Sequence, residues 1–225
     1  MGGSMIDLTV DGQTVKAYQT AGEGDGLPGV VVLMEWWGLN DHIKDVCERF
    51  AVEGFAVVAP DLYSSQGNAV TEDADEAAKL MGNLTQDQVM KEVQAAVDYL
   101  GSQGNVNPDK RLVMGFCMGG LYALFSAALV NDIKTVVSYY GMVKPVYKLM
   151  SEFKVPIMYF AGDKDKFVTL LETTQLRKNI KKTGEMIVYY GKGHAFFNDT
   201  RPDSYDEKSA KDSWKKMLAY IPKQW

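Results

Sequence analysis

The chain has 225 residues, 46% of them hydrophobic and 24% charged, the balance of a chain that folds around a packed core and not of a disordered or fibrous one. A net charge of −5 and a sequence pI near 5.1 leave no basic footprint for phosphate backbones, so the expected partner is a small molecule and not nucleic acid. Apolar runs stay well short of the roughly eighteen residues a membrane span needs, and Met1–Met5 lacks the basic and apolar segments of a signal peptide, so a cytoplasmic protein with no membrane partner is expected.

Met1–Ser4 reads as a cloning remnant, and residues 5–225 as one α/β domain, present as a monomer or small homo-oligomer. Strands are expected at Met5–Val10 and Val15–Gln19, joined by Asp11-Gly12 as an edge hairpin, and then at Val30–Met34 and Ala56–Ala59. Further strands follow at Leu112–Gly115, Thr135–Ser138, Pro156–Ala161 and Met186–Tyr190. Several are apolar throughout, as strands covered on both faces must be, and helical periodicity alternates with them. The helix over Asn40–Ala51 places Ile43, Val46, Cys47 and Phe50 on one stripe, which reads Cys47 as core and His42 as a first-turn residue. Thr85 with Gln88 forms a capping box ahead of Val89, Val93, Ala96, Val97 and Leu100, and Ser204 with Glu207 predicts a second one ahead of the last helix.

The most informative stretch is Lys110–Gly120, where an apolar strand ends in Gly115-x-Cys117-x-Gly119 and a helix starts at once. Glycines two residues either side of a central residue allow a sharp strand-to-helix turn that would otherwise collide with its neighbours, and such a turn exposes the central side chain. The helix N-terminus then points at the Cys117 sulfur and favours a thiolate or a developing oxyanion there.

A nucleophile of this kind needs a base, and the chain has two histidines. His194, in Gly191-Lys-Gly-His194-Ala-Phe-Phe, lies just beyond the last predicted strand, where the C-terminal ends of a parallel sheet present their loops. The loop Gly162-Asp163-Lys-Asp165-Lys-Phe-Val168 supplies two candidates for the orienting acid, of which Asp165 is preferred. Cys117, Asp165 and His194 then follow the nucleophile, acid, base order of the α/β-hydrolase fold.

From Val30 to the C-terminus the chain resembles the dienelactone hydrolase (carboxymethylenebutenolidase) family of the α/β-hydrolase superfamily. The resemblance rests on Met34-Glu-Trp-Trp-Gly-Leu-Asn40, Ala59-Pro-Asp-Leu-Tyr63, Gly115-Phe-Cys-Met-Gly-Gly120, Tyr139-Tyr-Gly141, Gly162–Val168 and Gly193-His-Ala-Phe196. It implies a mostly parallel twisted sheet of about eight strands with helices on both faces, and it supports Asp165 as the acid, the Asp of G-x-x-D-x-x-V. It also implies that Glu35 takes the proton of Cys117 when substrate arrives, and that the backbone N–H groups of Trp36 and Met118 form the oxyanion hole. The implied activity is acyl transfer on small esters or lactones, with no metal or organic cofactor. Trp37, Tyr139, Tyr140 and Phe196 are expected as pocket walls beside Trp36.

Family members hold a substrate carboxylate with two arginines. One of those positions is Asn198 here, and the segment Thr71–Glu76 that corresponds to the other has no basic residue. Asn198 is therefore expected to face substrate, with Arg201 or Lys79 as the available replacement cations. A broad carboxylesterase without dienelactone preference fits the same residues, and a thiol-based redox protein or a non-catalytic binding protein on this fold are the competing classes.

Overall fold

The computed structural model describes residues 2–180 and 184–225. Strands β1 (Ser4–Val10) and β2 (Gln13–Ala21) form the expected antiparallel hairpin, turning through Asp11 and Gly12, both at positive φ as a tight two-residue turn requires. The first strand begins at Ser4, and the Gly3 amide donates to the Glu48 carboxylate at 2.8 Å, so the first residues join the structure. Strand β2 also runs antiparallel to β4 (Ala56–Pro60). All the remaining pairings are parallel, and they involve β3 (Leu27–Leu33), β5 (Val106–Phe116), β6 (Thr135–Tyr139), β7 (Ile157–Gly162) and β8 (Glu185–Tyr189). Among the described residues the sheet has eight strands in the order β1-β2-β4-β3-β5-β6-β7-β8. Every residue of β4, β6 and β7 is buried, which is why β4 and β7 carry apolar runs without alternation and β6 admits only the small hydroxyls of Thr135 and Ser138.

Helices cover both faces. On one side α1 (Asp41–Val52) and α6 (Glu207–Tyr220) meet through Phe50 and Trp214, whose ring centroids lie 4.6 Å apart. On the other lie α3 (Gln86–Ser102) and α4 (Met118–Leu129), and α2 (Ala74–Gly82) and α5 (Leu170–Ile180) complete the set. Cys47 is fully buried on the stripe of α1, as its spacing predicts. Thr85 caps α3 by accepting from the Gln88 amide. The second expected capping box is replaced: Asp206, not Ser204, caps α6 by accepting from the Ser209 amide at 2.9 Å. Asp206 also binds the Lys192 ammonium at 2.5 Å, and a carboxylate facing both a helix N-terminus and a cation outcompetes a hydroxyl. No helix among the described residues is long and apolar enough to cross a membrane.

One buried group in the α3 layer carries a stability signature. Glu92 is 3% exposed, its Oε1 accepts from Gln88 Nε2 at 3.0 Å, and its Oε2 has no partner. Burial, with the charge of Asp61 adding to it, outweighs the Gln88 bond and pushes Glu92 from 4.5 up to about 7. A raised folded-state value means that the fold favours the protonated acid, so stability is full below pH 4.5 and declines as pH rises toward 7. Glu92→Gln, a mimic of the protonated side chain, is expected to raise Tm at pH 8 while leaving it near wild type at pH 5. Thermal melts at the two pH values check this, and an equal shift at both would refute it.

Candidate active site

Four strand ends converge on one side of the sheet. Strand β5 ends at Phe116, and Cys117 follows with φ +52°, ψ −114°, a conformation that L side chains rarely adopt. Its amide donates to the Tyr139 carbonyl at 3.0 Å, tying the turn to β6. The flanking glycines are compulsory because backbone lies against backbone. A Cβ on Gly115 would run into the Gly119 carbonyl, one on Gly119 would run into the Leu33 and Met34 carbonyls at the end of β3, and one on Gly120 would sit 2.7 Å from the Tyr139 oxygen. These contacts leave the chain one way to turn, and it lifts Cys117 out of the core.

The loop after β7 carries Asp165. Its Oδ1 accepts from the amides of Phe167 and Val168 at 2.8 and 2.9 Å, and its Oδ2 lies 2.7 Å from His194 Nδ1 on the loop after β8. Asp163, the alternative acid, instead accepts from the Gly191 amide and shapes the loop. With Nδ1 facing a carboxylate, the other imidazole nitrogen is left for the Cys117 side. Burial disfavours a charged imidazole, yet Cys117, once it is a thiolate, together with the bond and charge of Asp165 outweighs it and pushes His194 up to about 10. The ring is also held between Tyr140 and Phe167, at centroid distances of 4.9 and 5.0 Å.

Glu35, just past β3, is 2% exposed and accepts two hydrogen bonds, from Asn198 Nδ2 at 2.6 Å and from the Tyr140 hydroxyl at 3.3 Å. The Asn198 amide cannot flip, because its Oδ1 accepts from both the amide and the hydroxyl of Thr200, at 3.0 and 2.7 Å. Beyond Glu35 the chain turns, and the Tyr63 hydroxyl pins that turn by donating to the Trp36 carbonyl at 3.0 Å. Among the described residues neither the Trp36 nor the Met118 amide donates to a protein acceptor. Sequence reasoning assigned no role to Tyr63, whose partners lie far from it in the chain.

Glu35, Trp36, Trp37, Cys117 and His194 share the lining of one cavity of about 550 Å³, and Asp165 stands behind His194. Three expected wall residues, and Asn198 as an expected substrate contact, lie elsewhere in the structure. Tyr139, Tyr140 and Phe196 are fully buried and stack with Phe116, Phe160 and Phe197 behind the cavity, because aromatic side chains at the ends of covered strands gain more from the core than from solvent. Asn198 has no exposed surface either, and its amide is taken up by Glu35 and not by a ligand. The walls are made instead by Val70, Met81, Met142 and Phe167 facing Trp37 and Arg201.

The chain matches the model of the dienelactone hydrolase family over residues 15–224. It belongs to that family. A protein of Aquifex pyrophilus called usf is 36% identical, with 97% of each chain covered. An Aquifex aeolicus protein that carries the name carboxymethylenebutenolidase is 33% identical over 97% of each chain. Among solved structures, one from Klebsiella pneumoniae described as a dienelactone hydrolase superposes with a TM-score of 0.91 at 28% identity, covering 98% of both chains. The chain is thus a hydrolase of ester or lactone bonds, built on the α/β-hydrolase fold.

The Arg201 guanidinium lines the cavity, 3.8 Å above the Trp37 ring, and no carboxylate among the described residues pairs with it. Lys79 does not reach the cavity lining. No group of three or more His, Cys, Asp or Glu side chains among the described residues is arranged to hold a metal ion.

The strained turn gives a stability prediction that is independent of any assay. Cys117→Ala keeps φ at a value alanine dislikes, whereas Cys117→Gly relieves it. The glycine variant is expected to be more stable than the alanine variant by about 1 kcal/mol, the strain released minus the entropy glycine adds to the unfolded chain. Urea melts of the two variants provide the comparison, and a less stable glycine variant would show the turn to be unstrained.

Proposed function

We propose that this hydrolase acts on small esters or lactones by acyl transfer through Cys117, with His194 as the proton carrier, Asp165 as its orienter and Glu35 as the group that takes the thiol proton when substrate enters. The observation that carries the reading is the 2.7 Å bond from His194 Nδ1 to Asp165, which turns the imidazole's other edge toward a sulfur held on a positive-φ turn at a cavity wall. Cys117 Sγ attacks the carbonyl carbon, and the carbonyl oxygen becomes an oxyanion that accepts from the free amides of Trp36 and Met118. The tetrahedral adduct collapses, the C–O bond breaks, and the leaving alkoxide takes a proton from His194. Water then attacks the thioester while His194 removes its proton, the C–S bond breaks as the carboxylic acid leaves, and the Cys117 thiolate takes back the proton held by Glu35. The donors to Glu35 are both neutral, and among the described residues no cation is in contact with its carboxylate. A redox reading has little support, because Cys47 is fully buried and stands on a core stripe.

Cys117→Ala is expected to abolish hydrolysis of p-nitrophenyl acetate while retaining the wild-type circular dichroism spectrum, and His194→Ala and Asp165→Asn are expected to lose roughly 10³- to 10⁴-fold in kcat. Turnover by Cys117→Ala at the wild-type rate would overturn the reading.

For the substrate, the unpaired Arg201 edge favours an ester or lactone that carries an anionic group away from the scissile bond. Arg201→Gln is expected to lower kcat/KM for a carboxylate-bearing ester about 10-fold while leaving a neutral ester of equal size within about twofold. Equal losses on both substrates would remove Arg201 from recognition.

A further inference from the structure

The segment from His194 to α6 carries His194, Asn198, Thr200 and Arg201, all of them at or around the cavity. The side chain of Asp199 points the other way, toward α1. There its Oδ1 accepts from His42 Nδ1 at 3.1 Å, and its Oδ2 pairs with Arg49, which also pairs with Asp45. Burial alone would raise the Asp199 carboxyl, but Arg49 and His42 outweigh it and hold it below the usual range, so Asp199 is an anion throughout the working pH range. The His42 side chain is 1% exposed, its Nε2 has no partner among the described residues, and its ring packs edge-on to Phe116, the residue before Cys117. A buried imidazole with one nitrogen unused costs free energy that a leucine would not, and the residue's sequence position in a first helical turn does not account for it.

What His42 touches does account for it. It stands on the helix that follows the Glu35 turn, against Phe116 at the end of the strand that leads into Cys117, and it bonds Asp199, next to the Asn198 that donates to Glu35. Asp199 lies between Asn198 and Thr200, so fixing its side chain fixes the two neighbours whose bonds aim the Asn198 amide at Glu35. We propose that Asp199, clamped by His42 and Arg49, is a positioning residue that acts through Asn198 to hold Glu35 in register with Cys117. It touches no substrate. The inference rests on the reading of Glu35 given above, and it adds a part of the molecule on the far side of the loop that the cavity alone would not include.

Because Asp199 acts through Glu35, removing it should matter only while Glu35 works. The test is a double-mutant cycle read by the burst of p-nitrophenol in stopped flow, which separates acylation from deacylation. Asp199→Ala is expected to slow acylation about 10- to 100-fold, with deacylation and the substrate affinity read from the concentration dependence of the burst rate within about twofold of wild type, since sub-ångström misplacement of a reacting group costs on this scale. In a Glu35→Gln background the same substitution should change acylation by less than about twofold. His42→Asn, which keeps an N–H close to the Nδ1 position, should stay within about threefold of wild type, and His42→Leu should match Asp199→Ala. Equal slowing in both backgrounds, or unchanged acylation in a folded Asp199→Ala, would overturn the proposal and reduce the clamp to a loop tether. If Asp199→Ala does not fold, His42→Leu in the two backgrounds gives the same discrimination. Unchanged acylation in Glu35→Gln alone would instead overturn the assigned role of Glu35, and the clamp's with it, and that result is distinct from an additive cycle.

Discussion

Strand β5 can deliver a side chain to the end of the sheet only because the helix that follows it starts in contact with the backbone of its neighbouring strands. Gly115 meets the carbonyl of Gly119, and Gly119 and Gly120 meet carbonyls of Leu33, Met34 and Tyr139, with no room for a methyl group. That contact sets the angle of α4, the positive φ of Cys117 and the place where its amide can bond β6. It also brings the turn after β5 against the end of β3, and among the described residues neither the Trp36 nor the Met118 amide donates to a protein acceptor. A single steric constraint between main chains thus determines where every other group around the cavity has to be.

Around that fixed point the two carboxylates are treated differently. Asp165 accepts two backbone amides and the imidazole, a set of donors that holds a carboxylate in one orientation and leaves nothing for it to do except direct His194. Glu35 accepts only a tyrosine hydroxyl and an asparagine amide, and its head lines the cavity. Two carboxylates of similar burial thereby differ in the number and kind of their donors and in which of them lines the cavity. The aromatic layer of Phe116, Tyr139, Tyr140 and Phe197 fills the space between them and excludes water from behind.

What could be read in the sequence was whatever is written locally. Strands buried on both faces announce themselves as apolar runs, the glycines around Cys117 are spaced for a turn, and His194 and Asp165 each sit in a short loop after such a run. Residues whose role depends on a distant partner could not be read in this way. Asn198 meets Glu35 across 163 residues and His42 meets Asp199 across 157, and no spacing rule links such positions. Position alone made Asn198 a candidate for substrate, whereas the fold turns its amide inward. Helix α2 was missed for a different reason: Ala77 is its one fully covered residue, so it has almost no apolar stripe to detect. The start of α6 was misplaced because two capping residues lie two positions apart, and the choice between them depends on Lys192, which arrives from another loop.

The two cysteines are distributed unequally between inside and outside. Cys47 lies wholly within the core, where burial raises its thiol far above the ordinary range, and Cys117 lines an open cavity. Thiolate is the species that reacts with disulfide and maleimide reagents, so one sulfur is accessible to them and the other is shielded by the fold itself. The molecule therefore carries its own counter: the first equivalent of reagent consumed reports the number of chains with an open cavity, and the appearance of a second reports that the sheet has come apart.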